Sequence, residues 1–322
     1  MKQSIITAFL GQTRDRFSEY HEPTELAQRL ETVKQIPGVS GVEVVFPYET
    51  GGSAERCREL VTGAGLEFAA INANIKKEPH FVPGALSRPD ADIRRQAVQI
   101  IKDAKDFAIA VGAPLVSCCP LSDGWDNLFQ VDYPRAWRHM ADALAEAADY
   151  RADEIPLFVE YKINETRVNC QLDSCAKTIL MLKDVGVPQT GVTIDFGHSL
   201  LAKENPAQVL ALCEQTGTDY YLHTNDNDHY FDWDLVAGSR NFLHTVEFFF
   251  WAREFGYDKY FTADASPRIF GMVDFFTEHA RTKTAIWELV GQLDRAKFRR
   301  LMAGERYAEL MALVRKEIYR LG

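Results

Sequence analysis

Short apolar runs rich in β-branched residues recur along the chain, each followed by a longer stretch in which hydrophobic and charged residues alternate at helical spacing. The runs predict strands over Ser4–Leu10, Gly41–Phe46, Phe68–Asn74, Leu115–Cys119, Leu157–Lys162, Gly191–Asp195, Tyr220–Thr224 and Tyr260–Ala263. Between them, amphipathic helices are predicted over Pro23–Gln35, Ala54–Ala64, Pro89–Val111, Pro134–Tyr150, Ser174–Asp184, Asn205–Thr216 and Phe242–Phe255. Several open on helix-start signals, among them Glu22-Pro23, Arg88-Pro89 and Asn205-Pro206. Strands alternating with helices, with no Gly/Ser-rich linker between two halves, predict an α/β fold of the closed (β/α)8 barrel type. An open doubly wound sheet is disfavoured, because no G-x-G-x-x-G follows the first strand and polar residues cluster at many strand ends. The barrel is expected to occupy residues 1–290, closed by a helix over Met272–Gln292. Residues 291–322 are expected to form a C-terminal helical extension on its outside, broken near Gly304.

Composition narrows the range of functions. The chain has 322 residues, 46% of them hydrophobic and 25% charged, which is the profile of a globular protein with a large core. A formal charge of −10, from 36 basic and 46 acidic residues, argues against nucleic acid and anionic membranes as partners. The first residues are apolar only over Ile5–Gly11 before Arg14, Asp15 and Arg16, too short for a signal peptide or a membrane span, so a cytoplasmic location is expected. The six cysteines show no C-x-x-C spacing, and reduced, buried thiols are the expectation.

In a parallel barrel the functional site is built at the C-terminal ends of the strands, so the last residue of each run carries the chemistry. Strand five ends at Glu160, strand six at Asp195, strand seven at His223 and strand eight at Asp264, separated by 35, 28 and 41 residues, each close to one βα unit. Three carboxylates and an imidazole converging on one mouth repel one another unless a cation sits between them. The mostly oxygen donor set suits Mn2+ first, with Mg2+, Co2+ or Zn2+ also compatible. His198, three residues past Asp195, together with Asp232 and Asp234, would suit a second ion, giving one or two per chain. Lys162 follows Glu160 by two residues and should point to the same side of the strand, placing an ammonium beside these acids.

These motifs resemble the xylose isomerase-like TIM barrels, over about residues 1 to 290. The local pattern is most similar to metal-dependent aldose–ketose isomerases of the L-rhamnose isomerase type: Glu160-Tyr161-Lys162, Asp195-Phe196-Gly197-His198, His223 with Asp232-Trp233-Asp234, and Asp264. The loop from Ser122-Asp123-Gly124-Trp125 through Gln130 resembles that group's substrate-proximal loop after strand four. A short isomerase for the branched aldose D-apiose is one candidate of this pattern. The resemblance implies an intramolecular oxidoreductase that interconverts an unphosphorylated aldose and ketose by a metal-assisted hydride shift between C1 and C2. Glu160, Lys162, His198 and Asp232 would be catalytic. Trp125, Lys162, His198 and Trp233 would contact the sugar, and the enzyme would be a homodimer or homotetramer. Ketose 3-epimerases, which move a proton at carbon with two glutamates, are the alternative. Asp264 is one methylene short of their second glutamate, and Lys162 and the D-x-D pair are additions. A sugar-binding protein without turnover is the lesser alternative.

Overall fold

The computed structural model describes residues 1–321. Among the described residues, eight parallel strands close a barrel: β1 (Lys2–Ile6), β2 (Gly41–Phe46), β3 (Glu67–Ala73), β4 (Val116–Cys118), β5 (Leu157–Glu160), β6 (Thr190–Asp195), β7 (Asp219–Thr224) and β8 (Tyr260–Ala263). The ring closes because β1 pairs with both β8 and β2. This is the predicted (β/α)8 architecture. The helices packed outside it are α1 (Leu26–Lys34), α2 (Ala54–Gly63), α3 (Ala91–Val111), α4 (Tyr133–Asp149), α5 (Cys175–Val185), α6 (Phe196–Leu201), α7 (Pro206–Thr216), α8 (Phe242–Glu254) and α9 (Met272–Gln292).

Side-chain alternation decides what the barrel encloses. At the N-terminal end, Ala70, Phe158 and Tyr260 belong to a small apolar cluster that also contains Leu115 and Tyr221. Above it lies a polar layer. Ser4 Oγ and Thr262 Oγ1 are 2.5 Å apart, Ser117 Oγ and Thr193 Oγ1 are 2.8 Å apart, and the Tyr221 hydroxyl donates to Glu43 Oε2 at 3.0 Å. Two residues further along β6 and β7 the same inward parity delivers Asp195 and His223, which are register partners.

Several boundaries differ from the sequence reading, each for a local reason. The first strand stops at Ile6, and Thr7–Leu10 turns into a 3-10 segment whose apolar residues continue the strand-like pattern. The helices expected from Pro23 and Pro89 begin later, at Leu26 and Ala91, where Glu25 forms a capping box with Gln28 and the Asp90 carboxylate accepts from the amides of Asp92 and Ile93. At Asn205-Pro206 the cap falls where predicted. The tail folds as α10 (Arg295–Ala303) and α11 (Tyr307–Leu313), interrupted after Gly304. It docks through Phe298 on Phe250 and through Arg295 on Glu254. The six cysteines are free and buried. No helix among the described residues is long and apolar enough to cross a membrane.

Helix α9 is fastened beneath the strand ends by Lys283, which is 1% exposed and donates from Nζ to Thr224 Oγ1 and the Phe261 carbonyl, both at 3.1 Å. Burial pulls its pKa down from 10.5 to about 7. A depressed lysine pKa means that stability is lost as pH falls from the unfolded value toward the folded one. Chemical denaturation of wild type and Lys283→Met should therefore diverge with pH. Between about pH 10 and 7 the wild type should lose roughly 3 kcal/mol relative to the variant, whereas parallel profiles would mean that the amine is not desolvated.

Candidate metal and active site

At the C-terminal mouth, the strand-end side chains converge as their spacing suggested. Glu160, Asp195, His223 and Asp264 each offer a ligand atom, and these atoms lie within 4.8 Å of one another. His223 Nδ1 is 3.4 Å from Glu160 Oε1 and 3.2 Å from Asp264 Oδ2. Asp195, His198 and Asp232 form a second such group that shares Asp195 with the first. Asp234 lines the same cavity but belongs to neither group; it sits beside the amide of Asn225, Nδ2 to Oδ1 3.4 Å.

The polar contacts around these groups leave particular atoms bare. His223 Nε2 donates to Glu43 Oε2 at 3.0 Å, which leaves Nδ1 facing the cluster. His223 Nδ1, Glu160 Oε1, His198 Nδ1 and Asp232 Oδ1 are buried without a hydrogen-bond partner. Buried polar atoms normally have partners, so a set of bare ones converging in one place fits a cation-binding site. Oxygen and imidazole donors fit a divalent ion of the Mn2+ or Mg2+ kind, with Co2+ or Zn2+ also tolerated.

Local sequence explains the rigidity of the second group. Asp195 caps α6, its Oδ1 accepting from the His198 amide at 2.8 Å, and this sets His198 one turn above it. Asn225 Nδ2 donates to Asp195 Oδ2 at 2.9 Å while its Oδ1 accepts from the Gly197 amide at 2.8 Å. A Cβ on Gly197 would lie 2.6 Å from Asn225 Oδ1 and 2.8 Å from Asn227 Nδ2, so only glycine permits this approach. His198 Nε2 donates to Asp232 Oδ2 at 3.0 Å, and the Lys162 ammonium pairs with the same oxygen at 2.7 Å and with Glu165 at 2.9 Å.

The charges respond to one another. Burial, helped by the negative charges of Asp264, Asp232 and Glu160, pushes Asp195 up to about 7 despite the opposing pull of His198. Burial likewise raises Asp234 well above the carboxylate range, reinforced by Asp232 and Asp264. Burial alone would raise Glu160 and Asp232, but the imidazoles beside Glu160, and Lys162 and His198 beside Asp232, outweigh it and hold both below the usual range. Burial opposes protonation of His198 and His223, yet the surrounding carboxylates raise both well above an ordinary histidine. These opposed shifts mark a cluster short of positive charge.

The cavity above the cluster has a volume of about 260 Å3. Glu160, Lys162, His198, Asp232, Asp234 and Asp264 face it from one half of the barrel, and Phe9, Val45, Asn72, Asn74, Lys76 and Cys119 are among those facing it from the other. A larger hollow, about 520 Å3, lies at the opposite, N-terminal end near Lys2 and Pro156, away from these groups.

Trp125 and Trp233, expected against the sugar, are not among the residues lining this cavity. Trp125 packs edge-on to Tyr133, ring centroids 4.9 Å apart, and Trp233 lies under the Arg268 guanidinium at 4.8 Å. In the same expected loop, Asp123 is a buried clasp that accepts from the Ala85 amide at 3.1 Å and the Ser87 amide at 2.6 Å, and the residue that reaches the cavity is Leu121, just ahead of the loop. Asp226, legible only as part of a polar loop, is fully buried and ties down the amides of Arg240 and Asn241 at 2.8 and 2.9 Å. Sequence reasoning missed Glu43, Asn72 and Asn225. Glu43 was detectable as a lone carboxylate at an inward position of the apolar run Gly41–Phe46.

A family model, the xylose isomerase-like TIM barrel, matches residues 30–284. The chain belongs to the xylose isomerase-like TIM barrels. Curated relatives in this family include xylose isomerase from Thermus thermophilus, 24% identical over 200 residues, or 61% of this chain and 52% of that protein. Xylose isomerase from Bacillus pumilus is 27% identical over 185 residues, 56% of this chain and 41% of that one. The chain thus matches about half the length of these relatives. Solved structures of the same barrel include a D-tagatose 3-epimerase-like protein with TM-score 0.72 and 18% identity, covering 91% of this chain and 99% of that one. An L-ribulose 3-epimerase has TM-score 0.70 and 17% identity, covering 91% and 96%. By name, the xylose isomerase-like barrels that resemble this chain are sugar isomerases and epimerases.

The Glu43 contact gives a direct test of the cluster. Glu43→Gln keeps the volume but loses the carboxylate that fixes the His223 tautomer. Affinity for Mn2+, read by calorimetric titration of chelator-stripped protein, should fall about 10- to 100-fold with the barrel still folded by circular dichroism. Unchanged affinity would separate Glu43 from the ion site.

Proposed function

We propose that this chain is a divalent-metal-dependent isomerase that interconverts an unphosphorylated aldose and ketose. The observation that carries the reading is the pairing, in one cavity, of a cation-short acid–imidazole cluster with the buried ammonium of Lys162. The ligand groups would be Glu160, Asp195, His223 and Asp264 for one ion, and Asp195, His198 and Asp232 for a second, with Asp234 adjacent. A divalent ion held there would supply Lewis-acid charge to a sugar carbonyl and the hydroxyl beside it.

The protein's own groups do the rest. Lys162 is held against the mouth by Asp232 and Glu165 and donates a hydrogen bond to O1, stabilising negative charge as it develops there. Asp232 keeps the His198 ring in place through Nε2, which leaves Nδ1 as the one nitrogen that can either serve the second ion or, where that ion is not bound, hold a proton at a sugar oxygen. Ile6, Ala8, Phe9, Val45 and Leu121 cover the cavity with apolar surface and limit water beside the reacting carbons. In the aldose-to-ketose direction the C2 hydrogen moves with its bonding pair to C1, and a proton moves from O2 to O1, so the shift balances without an external redox partner.

A second reading has its own support. The solved structures that cover 91% of the chain carry 3-epimerase names, whereas the curated isomerases match only 61% or less. In that reading Glu160 and Asp264 exchange a proton with C3 from opposite sides. The two are separated by following free aldoses and ketoses by NMR in D2O with the Mn2+-restored protein. Aldose–ketose conversion without deuterium at the transferred hydrogen is expected; deuterium at C3 of a ketose would make this an epimerase, and binding without conversion a sugar-binding protein. Lys162→Met should lower kcat by about 100-fold or more at unchanged metal content. A parallel loss of metal would place Lys162 among the groups that hold the ion instead.

A further inference from the structure

The half of the cavity that carries no acids contains a cation with no counterion. Lys76 follows β3, and in the barrel order β3 stands diametrically opposite β7, the strand that carries His223. The other lysine of the cavity, Lys162, is paired with Asp232 and Glu165, whereas among the described residues no carboxylate lies within ion-pair reach of the Lys76 ammonium. The neighbouring lysine is already engaged: Lys77 lies 4.1 Å from the centre of the Tyr48 ring. The turn that presents Lys76 is built by Asn74, whose Oδ1 accepts from the amides of Lys76 and Lys77, both at 3.1 Å. With that oxygen committed, the Asn74 amide can offer only its N–H donors to the cavity it lines.

A half-buried, unpaired ammonium that shares its cavity wall with an amide donor can receive an anion. Its place across the barrel from the acid–imidazole cluster fixes which part of a ligand it meets. On the isomerase reading above, on which this inference rests, the C1 and C2 end of the sugar lies at the acid–imidazole cluster beside Lys162; Lys76 stands two strands round the ring from Lys162 and opposite the strand of His223, so a sugar chain running away from the cluster along this wall brings its last carbon toward Lys76. We propose that Lys76 and Asn74 receive a carboxylate on that last carbon, and that the substrates are an aldose–ketose pair bearing a terminal acid, the uronate class. One ammonium and one amide suit a monoanionic carboxylate, and a cation at this wall also offsets the repulsion that an acidic sugar would meet from the carboxylates opposite.

The test uses the full chain loaded with Mn2+. Calorimetric titration with galactonate and with galactitol, which has the same carbon chain without the acid, should show the acid binding at least about tenfold more tightly. That preference should collapse in Lys76→Met and largely persist in Lys76→Arg. A preference that survives in Lys76→Met would place the carboxylate at the ion cluster and overturn the assignment, as would equal binding of the two compounds to wild type or tighter binding of a sugar phosphate than of galactonate. In turnover assays, Lys76→Met should raise KM for a uronate far more than it lowers kcat. Turnover of neutral sugars with none of uronates would overturn the acid assignment and leave the isomerase standing. Lys76-dependent binding of galactonate without turnover of either sugar class would do the reverse, supporting the anion subsite while the reaction assignment fails.

Discussion

Carboxylates and imidazoles crowded into a dry barrel mouth cannot be stable as a set without positive charge among them. Here Glu160, Asp195, Asp232, Asp234 and Asp264 lie in or beside one cavity, and their protonation is pulled in opposite directions by burial and by one another. Much of the surrounding structure serves that constraint. Glu43 turns His223 Nδ1 toward the cluster, Asn225 braces Asp195, Gly197 lets Asn225 come close, and Lys162 and His198 neutralise Asp232. A cluster assembled at such electrostatic cost suits a site organised for an ion more than one organised for stability.

The barrel makes this assembly possible by its layering. The Ser4, Glu43, Ser117, Thr193, Tyr221 and Thr262 layer is internally hydrogen-bonded, so polar side chains continue from the interior up to the acid–imidazole cluster at the mouth. The mouth then divides into two chemically different halves. Strands β5 to β8 bring the acids, imidazoles and Lys162, while β1 to β4 bring apolar side chains, Asn72, Asn74 and an unpaired Lys76. In the proposed isomerase that asymmetry would give a bound sugar a direction, with its reacting end on one wall and its recognition end on the other.

Much of this is legible in the amino-acid sequence, because period-two and helical patterns report which face is buried and a parallel barrel gathers its strand ends. Spacing alone singles out Glu160, Asp195, His223 and Asp264, and the fold brings them within reach of one ion. What stays hidden are residues whose role depends on a contact distant in sequence. Glu43 meets His223 across 180 positions, and nothing local in Gly41–Phe46 reports that partner. Asp123 and Asp226 look like loop polarity but bind backbone amides of distant segments. Trp125 and Trp233 are expected at the sugar from resemblance, yet each is occupied by a neighbouring side chain, since loop conformation is set by tertiary packing that sequence pattern does not encode.

Manganese itself can decide whether the strand-end cluster holds an ion. Crystals of the chain grown with Mn2+ and measured at the manganese absorption edge locate the ion independently of any activity. An anomalous peak is expected about 2.0 to 2.5 Å from atoms of Glu160, Asp195, His223 and Asp264, with any second peak between Asp195, His198 and Asp232. Strong density for manganese elsewhere, with these four side chains hydrogen-bonded only to water or to one another, would contradict it.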